Sequence, residues 1–156
     1  MTSLNTRMLE EMDTDLYLTI ALADIDLLTG EITLTQAGHP HPLVHSTGAT
    51  PEFLGQGGLP VGLLQQAEFP SVQYRLRPGE RLLIYSDGFT EATDGNGTML
   101  GEAGLSSLVV KLGHASGPDL LADLVGDVLR FSAQGEADDD LSAVLVEFTG
   151  SPISAP

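Results

Sequence analysis

The chain has 156 residues, 42% of them hydrophobic, which is enough to bury the core of one globular domain. Six basic residues against 22 acidic ones give a formal charge of −16, a balance that repels nucleic-acid phosphates and anionic membrane surfaces. Cysteine is absent, which excludes disulfides, thiolate zinc sites, iron–sulfur clusters and cysteine nucleophiles, and suits a cytoplasmic protein. Asp13 and Asp15 stand where a signal peptide would need an apolar run, and no stretch is long enough to span a bilayer.

In chain order, Leu4, Met8 and Met12 recur at four-residue spacing and predict a short amphipathic helix over Ser3–Met12. A β-rich run over Tyr17–Ile25, turn chemistry over Asp26–Gly30 and the alternation of Ile32 and Leu34 with threonines in Glu31–Gln36 predict a hairpin. Pro40 and Pro42 interrupt the pattern, and Leu43–His45 is expected to resume the same sheet before a turn at Thr47-Gly48. Gly55–Gly62 reads as a loop and Phe69–Leu76 as a strand. Arg77-Pro78-Gly79-Glu80 turns into the apolar strand Arg81–Tyr85, which ends at Ser86-Asp87-Gly88. Helical patterns follow over Glu102–Leu112 and Asp119–Phe131, the second opened by Ser116-Gly117-Pro118. Leu141–Phe148 is apolar on nearly both faces and is expected inside a packed sheet, with residues 150–156 a frayed tail. Hairpins, a helical pair and a returning strand predict an α+β domain over residues 1–149.

Two acidic stretches could carry chemistry. Asp87 lies where a buried-looking strand gives way to Gly88, and Asp138-Asp139-Asp140 immediately precedes the last strand. Adjacent carboxylates repel unless solvent or a cation compensates, and Mg²⁺ or Mn²⁺ takes oxygen ligands of this kind. Taken singly, a turn aspartate and a solvated charge run account for each. Asp94-Gly95-Asn96-Gly97 opens like a calcium loop but has Met99 where an EF-hand needs glycine and Leu105 where it needs glutamate, so it is expected to be a turn. No Gly-x-Ser-x-Gly elbow surrounds any serine, and the four histidines have no zinc-site spacing.

Taken together, Gln36-Ala37-Gly38-His39-Pro40-His41-Pro42-Leu43, Tyr85-Ser86-Asp87-Gly88-Phe89-Thr90-Glu91-Ala92 and Asp138-Asp139-Asp140-Leu141-Ser142 resemble the stage II sporulation protein E family, a bacterial branch of the PPM-type (protein phosphatase 2C-like) serine/threonine phosphatases. Gly57–Leu63 and Leu76–Leu83 are similar to it as well. The resemblance implies an antiparallel β-sandwich flanked by helices with a two-metal centre of Mn²⁺ or Mg²⁺. Asp87 would be one metal ligand and Asp139 another, with Asp140 the close alternative, and Gly88 and His39 would lie near the site. His39 is expected to mark the exit from a strand rather than to act as a general acid.

The family's first acidic motif should stand upstream of a segment like Leu4–Met12, so the sequence is expected to lack the N-terminal strands and first helix of the complete domain. Three explanations follow: a portion of a longer phosphatase with an upstream receiver or sensor domain, a pseudophosphatase adaptor that binds a signalling partner without hydrolysis, or a homodimer or domain swap that supplies the missing strands. The substrate implied by the resemblance is a phosphorylated anti-sigma-factor antagonist.

Overall fold

The computed structural model describes residues 1–11, 16–133, 135–137 and 139–150. In chain order the elements are α1 (Thr2–Glu11), β1 (Ile20–Ile25), β2 (Glu31–Ala37), β3 (Leu43–His45), β4 (Glu52–Phe53), β5 (Ser71–Arg75), β6 (Arg81–Tyr85), α2 (Gly88–Glu91), α3 (Gly101–Leu112), α4 (Gly117–Phe131) and β7 (Ala143–Glu147). They fall into two compact units. Among the described residues, one holds Met1–His41 with Leu54–Leu76, the other Pro42–Phe53 with the chain from Arg77 to Gly150.

The first unit is a three-stranded antiparallel sheet of order β1-β2-β5 with α1. Its hairpin follows from Asp26, whose carboxylate accepts from Leu28 N at 2.8 Å and Thr29 N at 3.1 Å. Those amide bonds hold the Asp26 carboxyl below its ordinary range. Gly30 closes the turn at a φ of 74°, a left-handed conformation that favours glycine. The alternation in β2 buries Ile32, Leu34 and Gln36 on one face. The polar member is satisfied: the Gln36 side-chain amide donates to the carbonyls of His39 and Pro40, each at 3.2 Å, and its oxygen accepts from Gly57 N at 3.4 Å.

Helix α1 departs from the expected stripe. Leu4 is exposed, and the buried residue is Asn5, which donates to Leu64 O at 2.9 Å and accepts from Gly62 N at 2.7 Å. Met12, Asp13 and Asp15 lie outside the described residues, as does the tail from residue 151.

The second unit is a four-stranded antiparallel sheet of order β4-β3-β6-β7 with α2, α3 and α4. Strand β3 belongs here, not to the first sheet: after Gly38–Pro42 the chain leaves β2 and pairs Leu43 with Phe53 and Leu83. Leu43, Leu83, Tyr85, Phe89, Ala92, Leu105, Val109, Leu124 and Val128 form the buried core. Helix α4 is capped by Ser116, whose hydroxyl accepts from Asp119 N, with Pro118 in its first turn. The last strand corrects a second expectation. Apolar on both faces, β7 lies at the edge of this sheet among the described residues; Leu145 packs on the core while Val144 is 59% exposed.

Candidate metal centre

The Asp87 turn and the Asp139–Asp140 segment lie side by side at one end of the β6/β7 pair. Strand β6 is central, paired with β3 on one side and β7 on the other, and its Leu82, Leu83 and Tyr85 are buried. That seat is reinforced past the strand end, because Phe89 is fully buried and its ring meets that of Tyr85 edge-on at 6.2 Å and 72°. Burial, with a smaller contribution from Glu102, pushes the Tyr85 phenol above its ordinary value, so it stays neutral. In sequence Asp87 lies midway between these two anchored residues. Its carbonyl accepts from Thr90 N and Glu91 N at 2.8 and 2.9 Å, starting α2, and its carboxylate caps the helix by accepting from Gly88 N at 3.1 Å. The carboxylate is exposed.

Antiparallel pairing of Tyr85 with Ala143 brings the segment before β7 alongside this turn. Asp139 and Asp140 are both exposed, and Asp139 accepts from Asp140 N at 2.7 Å. Gly88 is where the two segments touch. A Cβ there would stand 2.7 Å from Asp140 O, 3.2 Å from Leu141 Cδ2 and 3.3 Å from Asp139 O. The junction therefore requires glycine, although Gly88 has no positive φ.

Of the residues singled out from sequence, Asp87, Gly88, Asp139 and Asp140 are brought together; Asp138 lies outside the described residues, and His39 belongs to the first unit, in the loop after β2. Asp94 makes the expected turn, accepting from Asn96 N and Thr98 N at 2.8 Å each. Sequence reasoning missed Ser86. Its hydroxyl donates to Asp140 O at 2.8 Å and accepts from Ser142 N at 2.9 Å, and the signal available was its place between strand and aspartate.

The donors at this junction suit a hard divalent cation in type and charge. They are carboxylates, exposed, and no ion pair among the described residues engages them. Among those residues no group of three or more His, Asp or Glu side chains is gathered as a metal cage. Mg²⁺ commonly binds through one or two carboxylates with water and substrate phosphate completing its shell, so the pair fits part of such a site.

Comparison with known proteins bears on the family and the fold. Residues 1–149 match the model of the Stage II sporulation protein E (SpoIIE) family. The phosphoserine phosphatase RsbP of Bacillus subtilis strain 168 is 31% identical over 77 residues, 49% of this chain and 19% of that protein. The RsbU and RsbW domains of Rv1364c from Mycobacterium tuberculosis superpose with a TM-score of 0.72 at 25% identity, over 89% of this chain and 38% of that one. The phosphatase domain of SpoIIE from Bacillus subtilis, from crystals presoaked with manganese, gives a TM-score of 0.69 at 20% identity, over 88% of this chain and 60% of that one. The chain thus spans less than a fifth of RsbP. With the family match running through residues 1–149, the α+β fold bearing these carboxylates belongs to the SpoIIE family.

Proposed function

We propose that this chain carries acidic ligands of the metal centre of a protein serine/threonine phosphatase, with Asp87 and Asp139 holding Mn²⁺ or Mg²⁺ and Asp140 the close alternative to Asp139. The observation that carries the reading is the contact of the Asp87 turn with the Asp139–Asp140 segment at Gly88. Such ions, when bound, make coordinated water a nucleophile near neutral pH and offset charge developing on phosphoryl oxygens. The chain's own part is placement: the buried Tyr85 and Phe89 flank Asp87, so its carboxylate is held on a rigid strand end rather than on a free loop.

The substrate is a phosphoserine or phosphothreonine on an anti-sigma-factor antagonist, and the working protein is cytoplasmic with a receiver or sensor domain upstream. The family match supports this, as does the pairing of RsbU and RsbW domains in the mycobacterial relative. One observation favours the second reading, a pseudophosphatase adaptor: the described carboxylates stop short of a three-ligand group. Turnover of para-nitrophenyl phosphate with Mn²⁺ separates the two, measured on this chain beside a form carrying the family's upstream acidic motif. Hydrolysis by the longer form that falls at least ~100-fold in Asp87→Ala supports the phosphatase. A longer form that binds the antagonist without turnover supports the adaptor.

A further inference from the structure

Ser86 stands between Tyr85, the last residue of β6, and Asp87. The register that pairs Tyr85 with Ala143 places Ser86 opposite Ser142. In a regular hydrogen-bonded antiparallel pair the two residues exchange both bonds, each N–H going to the other's carbonyl. Here Ser86 N donates to Ser142 O at 2.8 Å, but the return donor, Ser142 N, bonds the Ser86 hydroxyl at 2.9 Å. The hydroxyl proton goes on to Asp140 O at 2.8 Å. One side-chain atom thus takes the place of a ladder carbonyl and reaches two residues further along the opposing segment. A hydroxyl can do this because it accepts and donates at the same oxygen.

The consequence falls on the carboxylates. Asp140 O, fixed by Ser86, is the atom an added Gly88 Cβ would meet at 2.7 Å, so the hydroxyl bond and the glycine contact hold the same peptide against the Asp87 turn. Carboxylates on neighbouring segments repel, and the Ser86 hydroxyl adds two bonds that oppose their separation where the strand ladder ends. Without those bonds a cation would have to draw the two segments together at the expense of its own affinity.

We propose that Ser86 is a positioning residue for the carboxylate pair, its hydroxyl setting the separation at which Asp87 and the Asp139–Asp140 segment share one divalent cation. The inference rests on the metal reading above. Alanine at this position leaves Ser142 N and Asp140 O to water, since both residues are exposed or at the surface, so the loss appears in the geometry of the pair more than in folding.

The test is Mn²⁺ titration of the full chain, read by electron paramagnetic resonance of free Mn²⁺, with hydrogen exchange at the Ser142 amide measured without metal. Ser86→Ala is expected to bind Mn²⁺ roughly 10- to 100-fold more weakly and to exchange Ser142 faster, while Ser86→Thr restores both. Asp127→Asn, which removes the charge of a buried carboxylate held by the exposed Lys111 of α3 and Arg130 of α4, controls for stability: it should lower the unfolding midpoint and leave Mn²⁺ affinity alone. Ser86→Ala binding Mn²⁺ as tightly as wild type, with Asp87→Ala impaired, overturns this inference and leaves the metal reading standing. Asp87→Ala binding as tightly as wild type overturns the metal reading and this inference with it. Equal weakening in Ser86→Ala and Ser86→Thr overturns the role of the hydroxyl. Should Ser86→Ala not fold, Ser86→Cys, a weak donor and acceptor of similar volume, takes its place in the same comparison.

Discussion

Gly88→Ala sets two physical effects against each other at the centre of the site. Gly88 is the first residue of a short helix with no positive φ, so alanine is conformationally acceptable and by itself should stabilise by about 0.4–1 kcal/mol through the unfolded chain. The new Cβ, however, would stand 2.7 Å from Asp140 O, 0.7 Å inside the 3.4 Å at which ordinary contact begins, and the obstructing atom is backbone. The neighbouring Leu141 Cδ2 at 3.2 Å and Asp139 O at 3.3 Å close off the other directions. Overpacking of this kind costs about 1–3 kcal/mol, so the net expectation is a loss of about 1–2 kcal/mol. In a domain of this size the unfolding midpoint should drop by roughly 2–8 °C. Gly95→Ala supplies the internal standard, because Gly95 has nothing within 4 Å of an added Cβ and no positive φ, and it should match or exceed wild type. Thermal unfolding of the two variants side by side, followed by circular dichroism, reads the difference. A Gly88→Ala protein as stable as Gly95→Ala would refute the contact, and with it the claim that the Asp87 turn and the Asp139–Asp140 segment are packed together.

Asp127 is 5% exposed at its side chain and bonds Lys111 Nζ at 2.9 Å and the Arg130 guanidinium, whose own side chains are 63% and 70% exposed. Because water screens both cations, Asp127→Asn should cost about 1–2 kcal/mol in urea unfolding rather than the 3–5 of an enclosed pair. The hydrogen bonds from Lys111 and then Arg130 hold the Asp127 carboxyl below its ordinary range. Its contribution is therefore complete above the unfolded value of about 3.9 and is lost as pH falls through the lower folded value, which acid titration of unfolding should show and Asp127→Asn should lack. His45 titrates in the opposite sense of charge. Burial first, then Arg81 and His114, hold its imidazole below the ordinary value, and neither ring nitrogen has a hydrogen-bond partner among the described residues. The unfolded chain takes up that proton below about pH 6.5 while the folded ring stays neutral, so stability should fall by up to about 1.4 kcal/mol per pH unit in that window and fall less in His45→Leu. Asn5→Ala removes the partner of Gly62 N and Leu64 O and should cost about 1–3 kcal/mol, with faster exchange at the Gly62 amide.

The periodic elements were legible because their signals are local. Ile32 and Leu34 alternate with threonines, Ser116-Gly117-Pro118 opens α4, and Arg81–Tyr85 is a plain apolar run between turns. Asp87 and Asp139 stand far apart in sequence, and the β6/β7 pairing is what sets the segments that carry them side by side. What escaped depends on non-local choices. A three-residue strand such as Leu43–His45 carries no sign of which sheet it enters, and the two-residue β4 exists only through its pairing with β3. Hydrophobicity alone could not mark β7 as an edge strand, because Val144 is apolar and exposed. Asn5, Gln36 and Asp127 sit at buried positions that periodicity assigns to apolar side chains, and each has at least one partner distant in the chain or on another element. Gln36 did leave a trace, as the third member of the series Ile32, Leu34, Gln36.

The two rings beside Asp87 bear on how variants of this protein should be sorted. Tyr85 and Phe89 belong to the same buried cluster as Leu105, Leu124 and Val128, so the seat of one exposed carboxylate is continuous with the contacts of α3 and α4. Under the proposed function, a genetic screen for lost output should therefore return cavity-forming changes in those helices alongside substitutions of the aspartates themselves. The two groups part company on temperature: a cavity variant should recover its output when the cells are grown cool, whereas a missing carboxylate stays silent at every temperature.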